Sequence, residues 1–572
     1  MPVHNSEIAD RFDRLADLLE IEGANPFRVR AYRNAARTVR GYPRSMADLL
    51  AEDVDLTELP DIGDDLAEKI RVLVASGELP LLDEVEERTP PALSELMKIQ
   101  GLGAKRVKAL HEALGIDSLE ELQEAVDSGK VQEVEGFGEK SEEKIRRRLK
   151  KFSGSEHRTK LVVAEQIATP LVKYLHKARG VKDIVIAGSY RRRKETVGDL
   201  DILVTAGSDN DVMAHFTKYD EVEEIASQGE TRSTVYLRSG MQVDLRVVPQ
   251  VSFGSAQHYF TGSRDHNIAV RKLGQKMGYK INEYGVFDGD KRIAGKTENS
   301  VYKAVGLPLI PPELRENHGE LEAARDGRLP DLVTLKDLRG NLHTHTDATD
   351  GHDNLRAMAK AAQEAGLQYL AITDHSKHLR VANGLDEKRL RKQLTAIDQL
   401  NDQLSGLRLL KSIEVEIRED GKLDLPDSVL EELDFTLCAV HHKFDLSRKK
   451  QTERILRAMD SPHCHILAHP SGRLINRREA YDIDLERILQ AAAERGCAVE
   501  LNAQPERLDL TDEGCRMARD LGVKVSIAAD AHSTRGFDNL RFGIDQARRG
   551  WLETDDVLNT RSLRALLHFF NR

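Results

Sequence analysis

Cysteine is scarce: Cys438, Cys464, Cys497 and Cys515 are four residues too scattered for a disulfide framework, and no Cys-x-x-Cys pair occurs. A reducing, cytoplasmic setting is the expectation. Long apolar runs are also missing, with no stretch of about 18 residues that could cross a membrane as a helix. The first residues are polar and acidic, unlike a signal peptide. Excess positive charge is lacking too, since the net charge is -11, which excludes a uniformly basic nucleic-acid binder. What the chain has is length: 572 residues exceed any single core, because cores stop growing near about 250–300 residues. Hydrophobic residues make up 40% and charged ones 32%, as in soluble multidomain proteins.

The charge is unevenly spread. Arg33, Arg37, Arg40 and Arg44 recur at helical spacing with no acid between Glu22 and Asp48, and a second basic run covers Lys144 to Lys151. Helical periodicity dominates residues 1–150, interrupted by three related turns: Leu59-Pro60-Asp61-Ile62-Gly63, Ile99-Gln100-Gly101-Leu102-Gly103 and Val134-Glu135-Gly136-Phe137-Gly138. Each precedes a helix, the pattern of helix-hairpin-helix elements that aim helix N-terminal amides at a DNA phosphate without reading sequence. Gly101, Gly103, Lys105 and Arg106 form the second turn, and Gly136, Gly138 and Lys140 the third. In the first, Asp61 replaces a glycine and Asp64-Asp65 put negative charge where phosphate would sit. A polar Ser153-Gly154-Ser155 break then leads into a mixed α/β pattern.

Within that pattern, Ile184 to Ala187 reads as a short strand running into Gly188-Ser189, a strand-to-helix turn whose free amides suit a nucleotide's phosphates. Gly198-Asp199-Leu200-Asp201 opens the next strand. Residues i and i+2 share a strand face, so Asp199 and Asp201 can serve one metal pair. Asp244, in the strand-like run Gln242 to Val248, fits as a third carboxylate. Three such carboxylates can hold two divalent ions about 3.5–4 Å apart for in-line nucleotidyl transfer.

Over roughly residues 5–318 the chain resembles the family X DNA polymerases, of which polymerase β is the best known. The resemblance is carried by the Gly-Ser motif, the three aspartates and Tyr259-Phe260-Thr261-Gly262-Ser263. It implies that Ser189 and Arg192, with Gly188, Gly198 and Gly262, bind the incoming triphosphate. Asp199, Asp201 and Asp244 would ligate Mg2+ or Mn2+, Tyr259 and Phe260 would lie under the sugar, and Asn267 and Arg271 would touch the nascent pair. Two positions depart from the family. Gln242 stands where an arginine is common, which weakens activation of the primer end. Lys69 matches the family's abasic-sugar lyase lysine, but Asp65 replaces its helper lysine and stabilises the ammonium rather than the free amine that such chemistry needs.

Eleven of the 20 histidines lie between His343 and His532. His343-Thr344-His345, Asp350, Asp374-His375, Glu414, His441, His469 and Asp530-Ala531-His532 mostly follow strand-like runs, as at the C-terminal strand ends of a β/α barrel. Imidazole with carboxylate suits zinc, manganese or iron and excludes an all-oxygen calcium site. Residues 336–572 resemble the polymerase and histidinol phosphatase (PHP) domain, a distorted seven-stranded barrel with a three-metal phosphoesterase site. That resemblance implies up to three Mn2+ or Zn2+ ions. His343, His345, Glu414 and Asp530 would hold one, Glu414 as a bridge with His441 and His469 the second, and Asp350, His375 and His532 the third. Arg473 would anchor phosphate, while His352 and His442 would lie outside the metal set.

The expected division is a polymerase β-like helical domain at 1–80 and a helix-hairpin-helix DNA-binding domain at 81–154. A nucleotidyltransferase palm at 155–250 and a nucleotide-selecting subdomain at 251–318 follow, then a linker at 319–335 near a cluster of prolines, and the PHP domain at 336–572. The expected function is a gap-filling repair polymerase, serving base excision repair, with metal-dependent 3′-5′ exonuclease and abasic-site or 3′-end-cleaning activity. The alternatives are a nuclease-led 3′-end processor with a weak polymerase, and a non-catalytic gap-binding scaffold. Expected partners are gapped or nicked duplex DNA and dNTPs, with no membrane, in a monomeric, nucleoid-associated protein.

Overall fold

A computed structural model describes residues 5–42, 45–97, 99, 102–152 and 158–571. Among the site residues expected above, Gly101 lies outside this set, as do Arg44 and the Ser153-Gly154-Ser155 break. The chain forms two compact units: Met1–Tyr190 with Thr196–Gln250, and Arg191–Glu195 with Val251–Arg572. No described helix is long and apolar enough to cross a membrane.

The first unit begins with helices α1 (Asn5–Glu22) and α2 (Pro26–Gly41). Gly23, at φ +81°, ends α1, and Asn25 caps α2 by accepting from the Phe27 amide ahead of Pro26. Ile8, Phe12, Leu15 and Leu19 follow the helical period and pack with Val29, Tyr32, Ala36 and Val39, all buried. Each buried Ile, Leu, Val or Phe among them contributes about 1.5–3 kcal/mol. Arg40 is buried between Asp10 (2.7 Å) and Asp13 (2.9 Å), and Arg33 pairs with Asp17 at 3.0 Å and with Glu20. The arginine row of α2 is therefore no free basic face, because acids of α1 hold two of its members.

Helices α3 (Asp64–Ser76), α4 (Ala104–Leu114) and α5 (Glu139–Phe152) each follow one of the three related turns. The turns share a backbone pattern: Ile62 donates to the Leu59 carbonyl, Leu102 to Ile99 and Phe137 to Val134. Gly136 sits at φ +85° and Asp61, its equivalent, at φ +59°. The first turn thus keeps the shape with an aspartate, one of the few residues that tolerate this region, while Asp61 accepts from Asn34 at 3.1 Å. Helix α6 (Leu161–Leu175) leads into a five-stranded sheet of β1 (Val181–Ile186), β2 (Asp199–Ala206), β3 (Val222–Gln228), β4 (Arg232–Leu237) and β5 (Gln242–Val247). Their order is β1-β2-β5-β4-β3, with β2 and β5 parallel.

In the second unit, α7 (Phe253–Thr261) and α8 (Arg264–Lys276) accompany an antiparallel sheet of β6 (Tyr279–Asn282), β7 (Gly285–Asp288) and β8 (Lys291–Ala294). Residues 319–335, expected as a linker, are packed structure instead. Helix α9 (Glu320–Arg325) buries Leu321 and Ala324, and buried Glu320 accepts from His266 at 2.6 Å and from the Asn317 and His318 amides.

Eight short strands follow, all parallel: β9 (Gly340–Asn341), β10 (Tyr369–Ile372), β11 (Arg408–Lys411), β12 (Glu414–Glu416), β13 (Leu437–Ala439), β14 (Ile466–Leu467), β15 (Ala498–Asn502) and β16 (Val525–Ala528). Only Ser412 and Ile413 separate β11 from β12, and a His375–Glu414 bridge spans that break. A Thr344–Ala531 bridge returns the last strand to the first. Counting β11 and β12 as one broken strand gives a closed, distorted seven-stranded barrel. Inside it, Leu342, Ala371, Phe435, Leu437 and Ala468 pack on Leu566 and Phe570. These last two belong to the helix Leu563–Phe570, whose Phe570 ring stacks on Phe435 at 4.5 Å. The other end, where the strands finish, is lined with polar side chains.

Candidate active sites

In the first unit, β2 and β5 lie in a register that sets Asp201 opposite Asp244, with Asp199 two residues back on the same face. One carboxylate oxygen of each of Asp199, Asp201 and Asp244 lies within 4.8 Å of the other two. Asp244 is buried and accepts from Thr234 Oγ1 (2.6 Å), Gln242 Nε2 (2.8 Å) and Arg232 Nη2 (3.4 Å). Burial alone would raise its pKa, but these donors bring it below the ordinary carboxylate value. Gly188 sits at φ +62°, and a Cβ there would lie 2.8 Å from Asp201 Oδ2. Only glycine allows the turn to approach the carboxylates this closely. The donor set is all oxygen, which fits Mg2+ or Mn2+.

In the second unit, nine side chains converge at the C-terminal mouth of the barrel. Glu414, 1% exposed, faces two ways. Its Oε1 is 2.8 Å from His469 Nε2 and 3.2 Å from His441 Nε2. Its Oε2 is 2.9 Å from His375 Nδ1, 3.4 Å from His343 Nε2 and 3.5 Å from His345 Nε2. Asp530 Oδ1 is 3.2 Å from His345 Nε2 and 3.4 Å from His343 Nε2. Asp350 Oδ2 is 3.3 Å from His375 Nε2 and 3.6 Å from His532 Nε2. Three groups with mutual ligand spacing result: His343-His345-Asp530, His375-Glu414-His441 and His345-Asp350-His375-His532. His345 and His375 each take part in two of them.

The electrostatics call for cations. Burial would neutralise Glu414 and Asp530, yet the surrounding imidazoles hold both far below the usual carboxylate range. Conversely, burial opposes charge on His375, but Glu414 and Asp350 push it up to about 10. Glu414 Oε2, Asp530 Oδ1, His345 Nδ1 and His375 Nδ1 are buried, and their close contacts with neighbouring ligands lack hydrogen-bond geometry. Orphaned ligand atoms of this kind cost free energy unless something coordinates them, so the residues fit divalent metal. Asp530 at φ +47° and His469 at φ +27° carry local backbone strain at the same place.

Family models match for a helix-hairpin-helix domain (residues 3–79), a SAM-like helix-hairpin-helix tandem (93–151), the DNA polymerase beta palm (163–236) and thumb (256–316), and the PHP domain (341–504). The DNA polymerase/3′-5′ exonuclease PolX of Bacillus subtilis is 36% identical over 574 residues, covering 100% of both chains. This chain belongs to the PolX family. A probable phosphatase of Thermoanaerobacter sp. is 29% identical over 230 residues, 38% of this chain and 89% of its own. The solved structure of Leishmania infantum polymerase beta in a ternary P/T complex matches 39% of this chain and 98% of its own, at 23% identity and a TM-score of 0.27.

On α7, Tyr259 and Phe260 are half-buried with ring centroids 5.0 Å apart. Asn267 donates to the Tyr259 carbonyl at 2.7 Å, and the Arg271 guanidinium lies 5.3 Å from the Tyr259 ring centroid. Arg192 donates to Glu316 at 2.9 Å and to the Thr261 carbonyl, and a Cβ on Gly262 would lie 3.1 Å from its Nη1. In the turns, Gly103 caps α4 without a side-chain acceptor, Lys105 is exposed, and Arg106 lies 5.5 Å from the Phe137 ring centroid of the third turn. Gly136 and Gly138 are exposed, and Lys140 is the second residue of α5. Lys69 is ion-paired with Asp65 one turn earlier. Arg473, expected as a phosphate anchor, is bound to Glu195 instead, at 2.6 and 3.1 Å. His352 is exposed and pairs with Asp353, and half-buried His442 pairs with Glu416.

Two carboxylates behind the candidate ligands were not expected from the sequence. Buried Glu500 accepts from His343 Nδ1 at 2.6 Å and from the His469 amide at 2.7 Å. Glu416 accepts from His441 Nδ1 at 2.7 Å and is itself held by buried Arg454 at 3.2 Å. Such partners fix which ring nitrogen is free to ligate and raise its basicity. Glu416 could have been found, since it lies two residues from Glu414 on one strand. A lone charge in apolar Ala498-Val499-Glu500-Leu501 was the corresponding signal for Glu500.

Proposed function

We propose that this chain is a DNA polymerase and 3′-5′ exonuclease that fills short gaps in damaged duplex DNA and trims 3′ ends. The carrying observation is that two groups of side chains with metal-ligand spacing occur in one PolX-family chain, one all oxygen and one imidazole-rich. At the first, Mg2+ or Mn2+ would be held by Asp199, Asp201 and Asp244. At the second, up to three Mn2+ or Zn2+ ions would be held by His343, His345, Asp350, His375, Glu414, His441, His469, Asp530 and His532. Bound divalent ions supply positive charge to phosphate oxygens and acidify a hydroxyl nucleophile.

The chain's own residues do the rest. Thr234, Gln242 and Arg232 keep Asp244 ionised, so it presents a full charge at the base of the site. Gly188, Ser189, Arg192, Gly198 and Gly262 bind the triphosphate, Tyr259 and Phe260 exclude a 2′-hydroxyl, and Asn267 and Arg271 contact the nascent pair. Glu500 and Glu416 orient His343 and His441 for the nuclease. Gly101, Gly103, Lys105, Arg106, Gly136, Gly138 and Lys140 hold DNA by its backbone, independent of sequence. Lys69, neutralised by Asp65, is read as a helix-surface lysine rather than a lyase. A monomer acting in the cytoplasm at the nucleoid, divided into the domains set out above apart from the packed 319–335 segment, completes the proposal.

The test is a labelled one-nucleotide gap with a 5′-phosphate, incubated with and without dNTP in Mg2+ or Mn2+. Extension with dNTP and shortening without it are expected. Binding with neither reaction would contradict the proposal.

A further inference from the structure

The triphosphate-binding motif is followed by five charged residues, Arg191 to Glu195, that belong to the same compact unit as residues 251–572, although the chain on either side of them does not. Arg193 is in the left-handed region at φ +56°. A long side chain there is strained, so neighbouring contacts must hold this segment in shape. The contacts come from the PHP part of the chain. On helix α10 (Leu540–Arg549), Asp545 Oδ2 accepts from both Nε (2.8 Å) and Nη2 (2.5 Å) of Arg193. Gln546 Nε2 is 3.4 Å from Glu195 Oε2. One turn on from Asp545, Arg549 donates to the Arg192 backbone carbonyl at 2.8 Å and to Glu316 at 3.1 Å. Glu316 is the carboxylate that also accepts from the Arg192 side chain. Arg473, in the loop after His469, donates to both carboxylate oxygens of Glu195, at 3.1 and 2.6 Å.

We propose that Asp545, Arg549 and Arg473 of the PHP barrel are positioning residues for nucleotide addition, bracing the segment that presents Arg192 to the incoming triphosphate. This rests on the reading of Arg192 as a triphosphate ligand. The brace grips Arg192 at its carbonyl, through its Glu316 partner, and at the residues one and three places after it. These ion pairs are shielded: the side chains of Arg193 and Asp545 are 20% and 19% exposed, and that of Arg549 is 3% exposed. Coupling across them is therefore stronger than across a solvated surface pair. None of the three residues belongs to the barrel's metal-ligand set. The nuclease module thus does a second job, as part of the polymerase's nucleotide-binding wall.

The experiment uses the full-length protein and measures KM and kcat for dNTP in single-nucleotide gap filling, beside 3′-5′ degradation. Asp545→Asn, which keeps shape and loses charge, should raise KM for dNTP about tenfold with a smaller change in kcat, the size expected for a shielded charge pair. Degradation should be unchanged. Arg193→Asp combined with Asp545→Arg should recover most of the loss, which a general packing defect would not. Glu195→Gln perturbs the brace from the other partner and carries the same expectation if Asp545→Asn does not fold. Arg192→Ala separates the two ideas. A wild-type KM in Arg192→Ala overturns the ligand reading and the brace with it. A raised KM in Arg192→Ala with wild-type values in Asp545→Asn and Glu195→Gln overturns the brace alone.

Discussion

Replacing Glu500 with glutamine removes one charge and almost no volume from a fully buried position. The residue touches no expected metal position. It acts on His343 through a 2.6 Å contact to Nδ1, and it fixes the His469 backbone through a 2.7 Å bond to the amide. Without the carboxylate, His343 loses both its preferred tautomer and the field that makes its other nitrogen a strong donor. Losses of this type cost about 10–100-fold in metal affinity or activity, or roughly 1.4–2.7 kcal/mol. The assay is 3′-5′ degradation of a labelled duplex as a function of Mn2+ concentration. The half-maximal concentration should rise by about 10–100-fold, and saturating metal should restore much of the rate. Gap filling by the same protein should be untouched. An unchanged metal midpoint, with activity and folding intact, would refute the assignment of Glu500 as an orienting group.

Glu298, buried between Arg191 and Arg315, is held down to about 2 from an unperturbed 4.5 because its arginine partners outweigh burial. Its stabilising contribution is complete above the unfolded value and is lost as pH falls from 4.5 to about 2. At about 1.4 kcal/mol per unit it is worth on the order of 3 kcal/mol, so the wild-type advantage over Glu298→Gln in denaturant unfolding should be constant near neutrality and shrink on acidification. Replacing Lys105 and Arg106 with alanine should weaken binding to gapped duplexes of any sequence and reduce the salt slope by roughly 1.8, about 0.9 per lost phosphate contact; an unchanged slope would remove the second turn from the interface. Gly188→Ala should abolish nucleotide addition while leaving 3′ degradation, since its Cβ would meet Asp201 at 2.8 Å in a backbone region alanine avoids; wild-type gap filling by this variant would contradict the close approach.

The convergence of the candidate ligands was legible in the sequence because parallel strands place their C-terminal residues at one mouth, so each Asp or His that ends an apolar run is already a spatial statement. The residues behind them were not. Glu500 meets His343 from 157 positions away, and no periodicity encodes contacts across a barrel. Charge patterns misled where a neighbouring helix intervenes: α2 reads as a row of arginines, but Asp10, Asp13 and Asp17 of α1 take up Arg40 and Arg33. Asp61 removes a glycine without removing the turn, because aspartate tolerates positive φ. The sequence thus signalled the added negative charge at the turn but not the retained shape. Prolines near residues 308–330 suggested a linker, yet proline limits backbone hydrogen bonding rather than burial, and Leu321, Ala324 and Glu320 pack there. Arg473, expected as a phosphate anchor, is engaged by Glu195 from a distant part of the chain.

The central claim is that one chain carries two independent metal sites with opposite chemistry. The direct measurement puts Asp244→Asn and Glu414→Ala, each verified as folded, on one labelled gapped duplex with dNTP present or absent. Asp244→Asn should lose nucleotide addition by about a thousandfold or more, as expected when several kcal/mol of charge stabilisation is removed, and should still shorten the 3′ end. Glu414→Ala should fill the gap and no longer shorten the strand. Joint loss of both activities in either folded variant, or persistent shortening by Glu414→Ala, would contradict the account.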